Sequence, residues 1–96
     1  MTWRPRFKLR LYIAGDTQNS SEARANLAAL CRTYLPNRHD IEIVDVFRNP
    51  ARALGDGIFL TPTLVKVSPA PGRKIVGTLS EAQRVLQALG LATLVE

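Results

Sequence analysis

The sequence has very few of the residues on which common enzyme chemistry depends. Its 96 residues include one cysteine and one histidine, so neither an intramolecular disulfide nor a cysteine-based metal cluster can form. The G-x-G-x-x-G and Walker phosphate-binding loops are missing, as is the H-E-x-x-H zinc motif. We therefore expect a protein that is not an enzyme and that needs no cofactor or metal.

Long apolar runs are missing as well. No stretch approaches the about 18 consecutive apolar residues of a membrane-spanning helix. No apolar segment follows the basic N-terminus, as it would in a signal peptide. We expect a cytoplasmic protein without membrane contacts.

The composition is that of one globular domain over residues 1–96, with 46% apolar residues. The net charge of +5 is compatible with an acidic partner surface or a nucleic acid. Basic residues are densest between Arg4 and Arg10, where they alternate with apolar residues in the two-residue period of a strand. Aromatic residues are sparse there, and base stacking requires exposed rings, so we do not expect nucleic-acid binding.

Hydrophobic periodicity predicts seven elements in the order β-α-β-α-β-β-α. The strands are predicted over residues 7–14, 41–47, 63–67 and 73–79. A helix joins the first two strands, so they should be parallel, and the turn at 68–72 should make the last two an antiparallel hairpin. The predicted fold class is α/β, with a mixed four-stranded sheet covered by helices.

The first two helices have clear start signals. The first is predicted to begin at Asn19, with Glu22 completing a capping box, and to end before Pro36. Its apolar stripe consists of Leu27, Leu30, Cys31, Tyr34 and Leu35. The second helix is predicted to have Asn49 as N-cap and Pro50 at its first position, where the missing N–H costs nothing.

The third helix is predicted over residues 81–89, with Ser80 as its N-cap. Its apolar stripe consists of Ala82, Val85, Leu86 and Leu89. Gly90 is a natural residue to end a helix, and alanine at Ala88 is favoured over glycine inside a helix by about 1 kcal/mol.

This order of elements, with Thr61-Pro62-Thr63 opening the third strand, resembles the thioredoxin fold. The resemblance implies a cis peptide bond before Pro62, beside the place of the family's redox motif. That place has the sequence GDTQNSS, without a cysteine, and Cys31 lies instead on the apolar stripe of the first helix. We therefore reject a disulfide oxidoreductase and predict that Cys31 is buried and structural.

Two other titratable residues are expected to have no catalytic role. His39 falls in a polar loop, where a solvated side chain is the default. Asp45 falls in an apolar strand, and we expect it to have a structural partner such as an arginine.

Four segments together resemble the KaiB family of circadian clock adaptors, over about residues 7–91. They are LRLYIAGDTQNSSEA, IEIVDVFRNPARA, FLTPTLVKVSPAPGRKIVGTLS and RVLQALGL. The resemblance implies a non-enzymatic adaptor that binds a KaiC-like ATPase, in a circadian clock or related stress signalling, with KaiA or a clock histidine kinase as further partners. The alternatives are a thioredoxin relative without the CxxC motif and a sensor-type domain of a histidine kinase pathway.

The resemblance also suggests which residues contact the partner. The candidate partner-binding residues are Arg48, Asn49, Pro50, Lys66, Arg73 and Lys74. Arg48 is chosen from its place beside the second helix, whereas the other basic residues match basic positions of the family. We expect the second strand and the short helix to dock on the ATPase, with basic residues meeting acidic ones.

KaiB proteins adopt two folds, and the resemblance implies both for this chain. One is thioredoxin-like and binds the ATPase; the other, β-α-β-β-α-α-β, is typically a tetramer and does not. The candidate fold-switch residues are Pro62, Pro69, Pro71, Ala88 and Gly90. Because Ala88 and Gly90 favour a helix that ends there, we expect the thioredoxin-like fold to dominate, as a monomer or dimer.

Overall fold

A computed structural model describes residues 5–91 and has the predicted order of elements. The strands are β1 (Phe7–Ile13), β2 (His39–Asp45), β3 (Thr63–Ser68) and β4 (Arg73–Val76), and the helices are α1 (Gln18–Tyr34), α2 (Pro50–Gly55) and α3 (Ala82–Leu89). The sheet has the order β2-β1-β3-β4, in which β1 is parallel to β2 and the other neighbours are antiparallel. The predicted α/β, thioredoxin-like fold class is confirmed.

The central strand β1 is covered on both faces of the sheet. Leu11 lies in the main core, with Leu27 of α1 and Leu89 of α3. Tyr12 lies on the opposite face, in a smaller core with Ala53 of α2. Side chains of a strand alternate between faces, so two consecutive buried residues mean that helices pack on both sides of β1.

The start of α1 differs from the prediction. The helix begins at Gln18, after Thr17, and Asn19 is not its N-cap. The buried Ser20 hydroxyl accepts hydrogen bonds from the Ala14 N–H at 3.1 Å and from the Thr17 hydroxyl at 2.9 Å. These bonds connect the first turn of α1 to the end of β1, and this tertiary contact overrides the local capping signal.

Strand β2 begins and ends two residues earlier than predicted. The strand begins at His39 because it pairs in parallel with the full length of β1, and His39 lies opposite Phe7. At the other end, the Asp45 carbonyl accepts hydrogen bonds from the N–H groups of Arg48 and Asn49. This turn stops the strand at Asp45, so the last two apolar residues of the predicted strand lie in a loop.

Strand β4 is shorter than predicted. It ends at Val76 because Gly77 and Leu79 have positive φ angles of 122° and 63°, which a strand does not accommodate. The Gly77 N–H donates to the Pro62 carbonyl at 2.9 Å, which joins this end of β4 to the start of β3.

The peptide bonds before Pro62, Pro69 and Pro71 are cis, and the cis bond predicted at Pro62 is therefore confirmed.

Helix α3 is the last element of the described residues, and it lies on the same face of the sheet as α1. Its N-cap is Glu81 rather than the predicted Ser80. Gly90 has a left-handed conformation, with φ 81°, and ends the helix as predicted; Ala88 lies in its last turn. Two residues that we assigned to apolar stripes are exposed: Tyr34 and Ala82.

None of the described helices is long and apolar enough to cross a membrane.

Candidate partner-binding surface

A network of polar side chains holds α2 against the sheet. We call it the α2 clasp, and it consists of Arg10, Tyr12, Glu42, Arg52 and Asp56. Arg52 donates two hydrogen bonds to Glu42, at 2.7 and 3.0 Å. Arg10 donates to both Glu42 and Asp56, at 2.9 Å each, and the Tyr12 hydroxyl also donates to Asp56. Because the clasp joins α2 and the residue after it to β1 and β2, it fixes this short helix on the sheet.

The clasp shifts the pKa values of its members. Hydrogen bonds from Arg52, and then from Arg10, lower the pKa of Glu42 to about 2. Hydrogen bonds from Tyr12, and then from Arg10, lower the pKa of Asp56 as well. Both carboxylates are therefore charged at neutral pH, where the clasp is intact.

The residues at the start of α2 have the predicted positions. Asn49 is the N-cap, Pro50 is the first helical residue, and both are exposed, as is Arg48 before them. Asp45 holds the preceding turn: its carboxylate accepts a hydrogen bond from the Phe47 N–H at 2.9 Å and one from a second backbone N–H at 3.4 Å. The expected structural role of Asp45 is confirmed, but its partners are backbone N–H groups rather than an arginine.

The two basic residues of β4 lie on opposite faces of the sheet. Lys74 pairs with Val65, on the side of α2, and its Nζ atom lies 3.1 Å from where a Cβ atom at Gly57 would be. Arg73 pairs with Lys66, whose side chain is on the side of α3. The structure therefore brings Lys74, but not Arg73, to the end of α2.

Lys66 is buried, unlike the solvent-exposed contact residue that we expected. Only 5% of it is exposed, and its Nζ donates to the Leu89 carbonyl at 3.2 Å and lies 5.7 Å from the centre of the Phe7 ring. Burial, and then the charge of Arg73, lower the pKa of Lys66. Its ammonium group gives a hydrogen-bond partner to a carbonyl at the C-terminal end of α3, where the helix dipole favours a cation. Because Lys66 is buried, a partner cannot reach it in this fold.

Three exposed apolar residues at the C-terminal end of α2 were not predicted as surface residues from the sequence. We call Leu54, Phe59 and Leu60 the apolar loop patch; they are 70%, 84% and 63% exposed. Ile58, which precedes two of them, is buried against the sheet. A segment this short has no periodicity to distinguish its buried apolar residue from its exposed ones. The sequence feature that could have indicated them is the run of three apolar residues, Ile58 to Leu60, directly after a turn.

The remaining candidates for chemistry have structural environments. Cys31 is buried in α1, as predicted, and burial raises the pKa of its thiol to about 11. The His39 ring bonds through Nδ1 to the Leu35 carbonyl at 2.7 Å. Within residues 5–91, no three His, Cys, Asp or Glu side chains are grouped so that they could hold a metal ion.

Comparison with solved structures places the fold among thioredoxin-like domains. The N-terminal domain of Synechococcus elongatus SasA has a TM-score of 0.74 at 15% identity, covering 100% of this chain and 94% of that one. Chloroplastic thioredoxin z also has a TM-score of 0.74, at 19% identity, covering 92% of this chain and 80% of that one. At such low identity, these likenesses establish the fold alone.

Comparison with sequences identifies the family. The KaiB domain model matches residues 10–91. The circadian clock protein KaiB3 of Synechocystis sp. is 40% identical over 86 residues, which are 90% of this chain and 84% of the relative. The circadian clock oscillator protein KaiB of Acaryochloris marina is 43% identical over 88 residues, which are 92% of this chain and 85% of the relative. With a family model and relatives that each match most of its length, this chain belongs to the KaiB family.

Proposed function

We propose that this protein is a non-enzymatic adaptor that binds a KaiC-like ATPase through the face of the sheet that carries α2. Its relatives are named circadian clock proteins, which supports a clock-related role. The proposed contact residues are Arg48, Asn49, Pro50 and Lys74. The observation that carries the proposal is a pair of exposed cations at the two ends of α2, Arg48 and Lys74, neither of which forms a salt bridge within residues 5–91.

The α2 clasp supports docking in two ways. It holds α2 in place before any partner arrives, so little conformational entropy is lost when the helix is bound. It also pairs the carboxylates of Glu42 and Asp56 with arginines of the same chain. The cations Arg48 and Lys74 beside α2 are left without a salt bridge within residues 5–91, in a chain of net charge +5, and favour an acidic surface on the ATPase.

Further partners are proposed for the same surface. KaiA and a clock histidine kinase are candidates to join or compete with the adaptor there, as the family resemblance implies. Lys66 and Arg73 are left out of the surface because one is buried and the other lies on the opposite face of the sheet. A redox function is not favoured, because the thiol of Cys31 is buried and its pKa is raised.

The test is a binding titration of the purified chain against the KaiC-like ATPase of the same organism, with ATP and with ADP. We expect saturable binding, and we expect Lys74→Glu or Arg48→Glu to weaken it by about tenfold, because each substitution turns attraction into repulsion. Arg32→Glu is the matched control: Arg32 is exposed on α1, on the other face of the sheet, and should leave the affinity within about twofold. Absence of binding with either nucleotide, or an equal loss in the control, would refute the proposal.

A further inference from the structure

The apolar loop patch departs from an ordinary solvated surface. Single exposed apolar residues are common on proteins, but Leu54, Phe59 and Leu60 fall within seven consecutive residues. Phe59 is the most exposed of the large apolar residues in the described part of the chain. Clusters of this kind mark sites of protein interaction, and aromatic side chains often dominate the binding energy of an interface.

The backbone that presents the patch is held on both sides. The Gly57 N–H donates to the Leu54 carbonyl at 3.0 Å, and the Ile58 N–H donates to the Ala53 carbonyl at 2.8 Å. After the patch, the Leu60 carbonyl accepts a hydrogen bond from the hydroxyl of the buried Thr63 at 2.6 Å. Burial of Ile58 between these bonds keeps the segment on the sheet while the patch faces solvent. The patch is therefore presented in one arrangement before a partner binds, which favours affinity.

The surrounding charge indicates the chemistry of the occupant. The Nζ atom of Lys74 lies over Gly57, between Leu54 and Phe59 in sequence, and Lys74 forms no salt bridge within residues 5–91. Asp56, the nearby carboxylate, is held by Arg10 and Tyr12 in the α2 clasp. Lys74 acts electrostatically on Asp56 without forming a salt bridge with it, so its exposed ammonium group favours an anionic group on the partner.

We propose that the apolar loop patch is the anchor of the interface and that Phe59 and Leu60 enter an apolar pocket of the ATPase, with a carboxylate of that pocket's rim meeting Lys74. This inference rests on the proposed function and specifies the partner's surface. Apolar burial supplies most of the affinity, whereas the basic residues at the rim supply salt dependence and orientation.

Isothermal titration calorimetry at several temperatures and salt concentrations tests the anchor. We expect Phe59→Ser to weaken binding of the ATPase by at least about tenfold and to make the heat capacity change of binding less negative, because less apolar surface is buried. Its salt dependence should remain that of the unsubstituted chain, whereas Lys74→Ala should reduce the salt dependence. Tyr34→Ser is the matched control, since Tyr34 is an exposed aromatic residue at the end of α1; its affinity should stay within about twofold.

The outcomes separate this inference from the proposed function. If the unsubstituted chain binds and Phe59→Ser binds within about twofold of it, the anchor is overturned and the adaptor function stands. If the unsubstituted chain does not bind the ATPase, both are overturned. A misfolded variant is recognised by its thermal unfolding, which Phe59→Ser should leave unchanged because the side chain is 84% exposed.

Discussion

Replacing Glu42 by glutamine removes the charge at the centre of the α2 clasp while keeping the size of the side chain. Glu42 accepts two hydrogen bonds from Arg52 and one from Arg10, at distances of 2.7–3.0 Å. Glutamine can accept hydrogen bonds only at its carbonyl oxygen. Its NH2 group is a donor, so it cannot accept from Arg10 or Arg52. We therefore expect the substitution to loosen α2 and to lower the free energy of unfolding.

The magnitude follows from the pKa and the exposure of Glu42. A pKa lowered from 4.5 to about 2 corresponds to an upper limit of about 3 kcal/mol. The side chain is 47% exposed, however, and solvent screening reduces exposed ion pairs to about 1 kcal/mol or less each. With two arginine partners, we expect a loss of about 1–1.5 kcal/mol at neutral pH, or roughly 4–8 °C in Tm for a domain of this size.

The effect should depend on pH in a defined direction. The pKa of Glu42 is lower in the folded state than its ordinary value of 4.5, so its stabilisation is complete above about pH 5 and is lost as the pH falls toward 2. Urea unfolding followed by circular dichroism should therefore separate Glu42→Gln from the unsubstituted chain at neutral pH, and the two should converge near pH 2. Glu22→Gln is the matched control, an exposed glutamate of α1 without a salt bridge within residues 5–91. Equal midpoints at neutral pH, or an equal loss in the control, would refute this account of the clasp.

Three further predictions concern α1 and α3. Cys31→Ser should destabilise the fold by about 1–3 kcal/mol in thermal unfolding, because it buries a hydroxyl in an apolar core, and should leave ATPase binding unchanged; abolished binding in a folded variant would contradict the structural role. Lys66→Met removes the donor to the Leu89 carbonyl and should speed amide hydrogen exchange in the last turn of α3, while global stability changes by less than about 1 kcal/mol because a buried ammonium is removed as well; unchanged exchange would contradict the capping role. NMR secondary shifts in the free protein should be helical over Ala82–Leu89, and strand-like shifts there in a tetramer would show that the other KaiB fold dominates.

Local chemistry in the sequence was sufficient for the order of the elements and for several of their ends. The switch between a two-residue period and a helical period predicts all seven elements, since each period reflects how a strand or a helix buries one side. Asn49-Pro50 predicts the start of α2 and Gly90 the end of α3 because these residues act through their own backbone geometry. The KaiB family was also identifiable from the sequence, because four distinctive segments occur together in it.

The composition of the α2 surface was decided by the tertiary structure. Lys66, Arg73 and Lys74 are equivalent in sequence as basic residues of a hairpin, but pairing of β3 with β4 places Lys74 beside α2, Arg73 on the other face, and Lys66 in the core. The two-residue period of a strand shows which residues share a face of the sheet. It does not show which helix covers that face. Exposure of Phe59 beside the buried Ile58 likewise depends on where the segment after α2 meets the sheet. Contacts between distant parts of the chain set these positions, and no local pattern records such contacts.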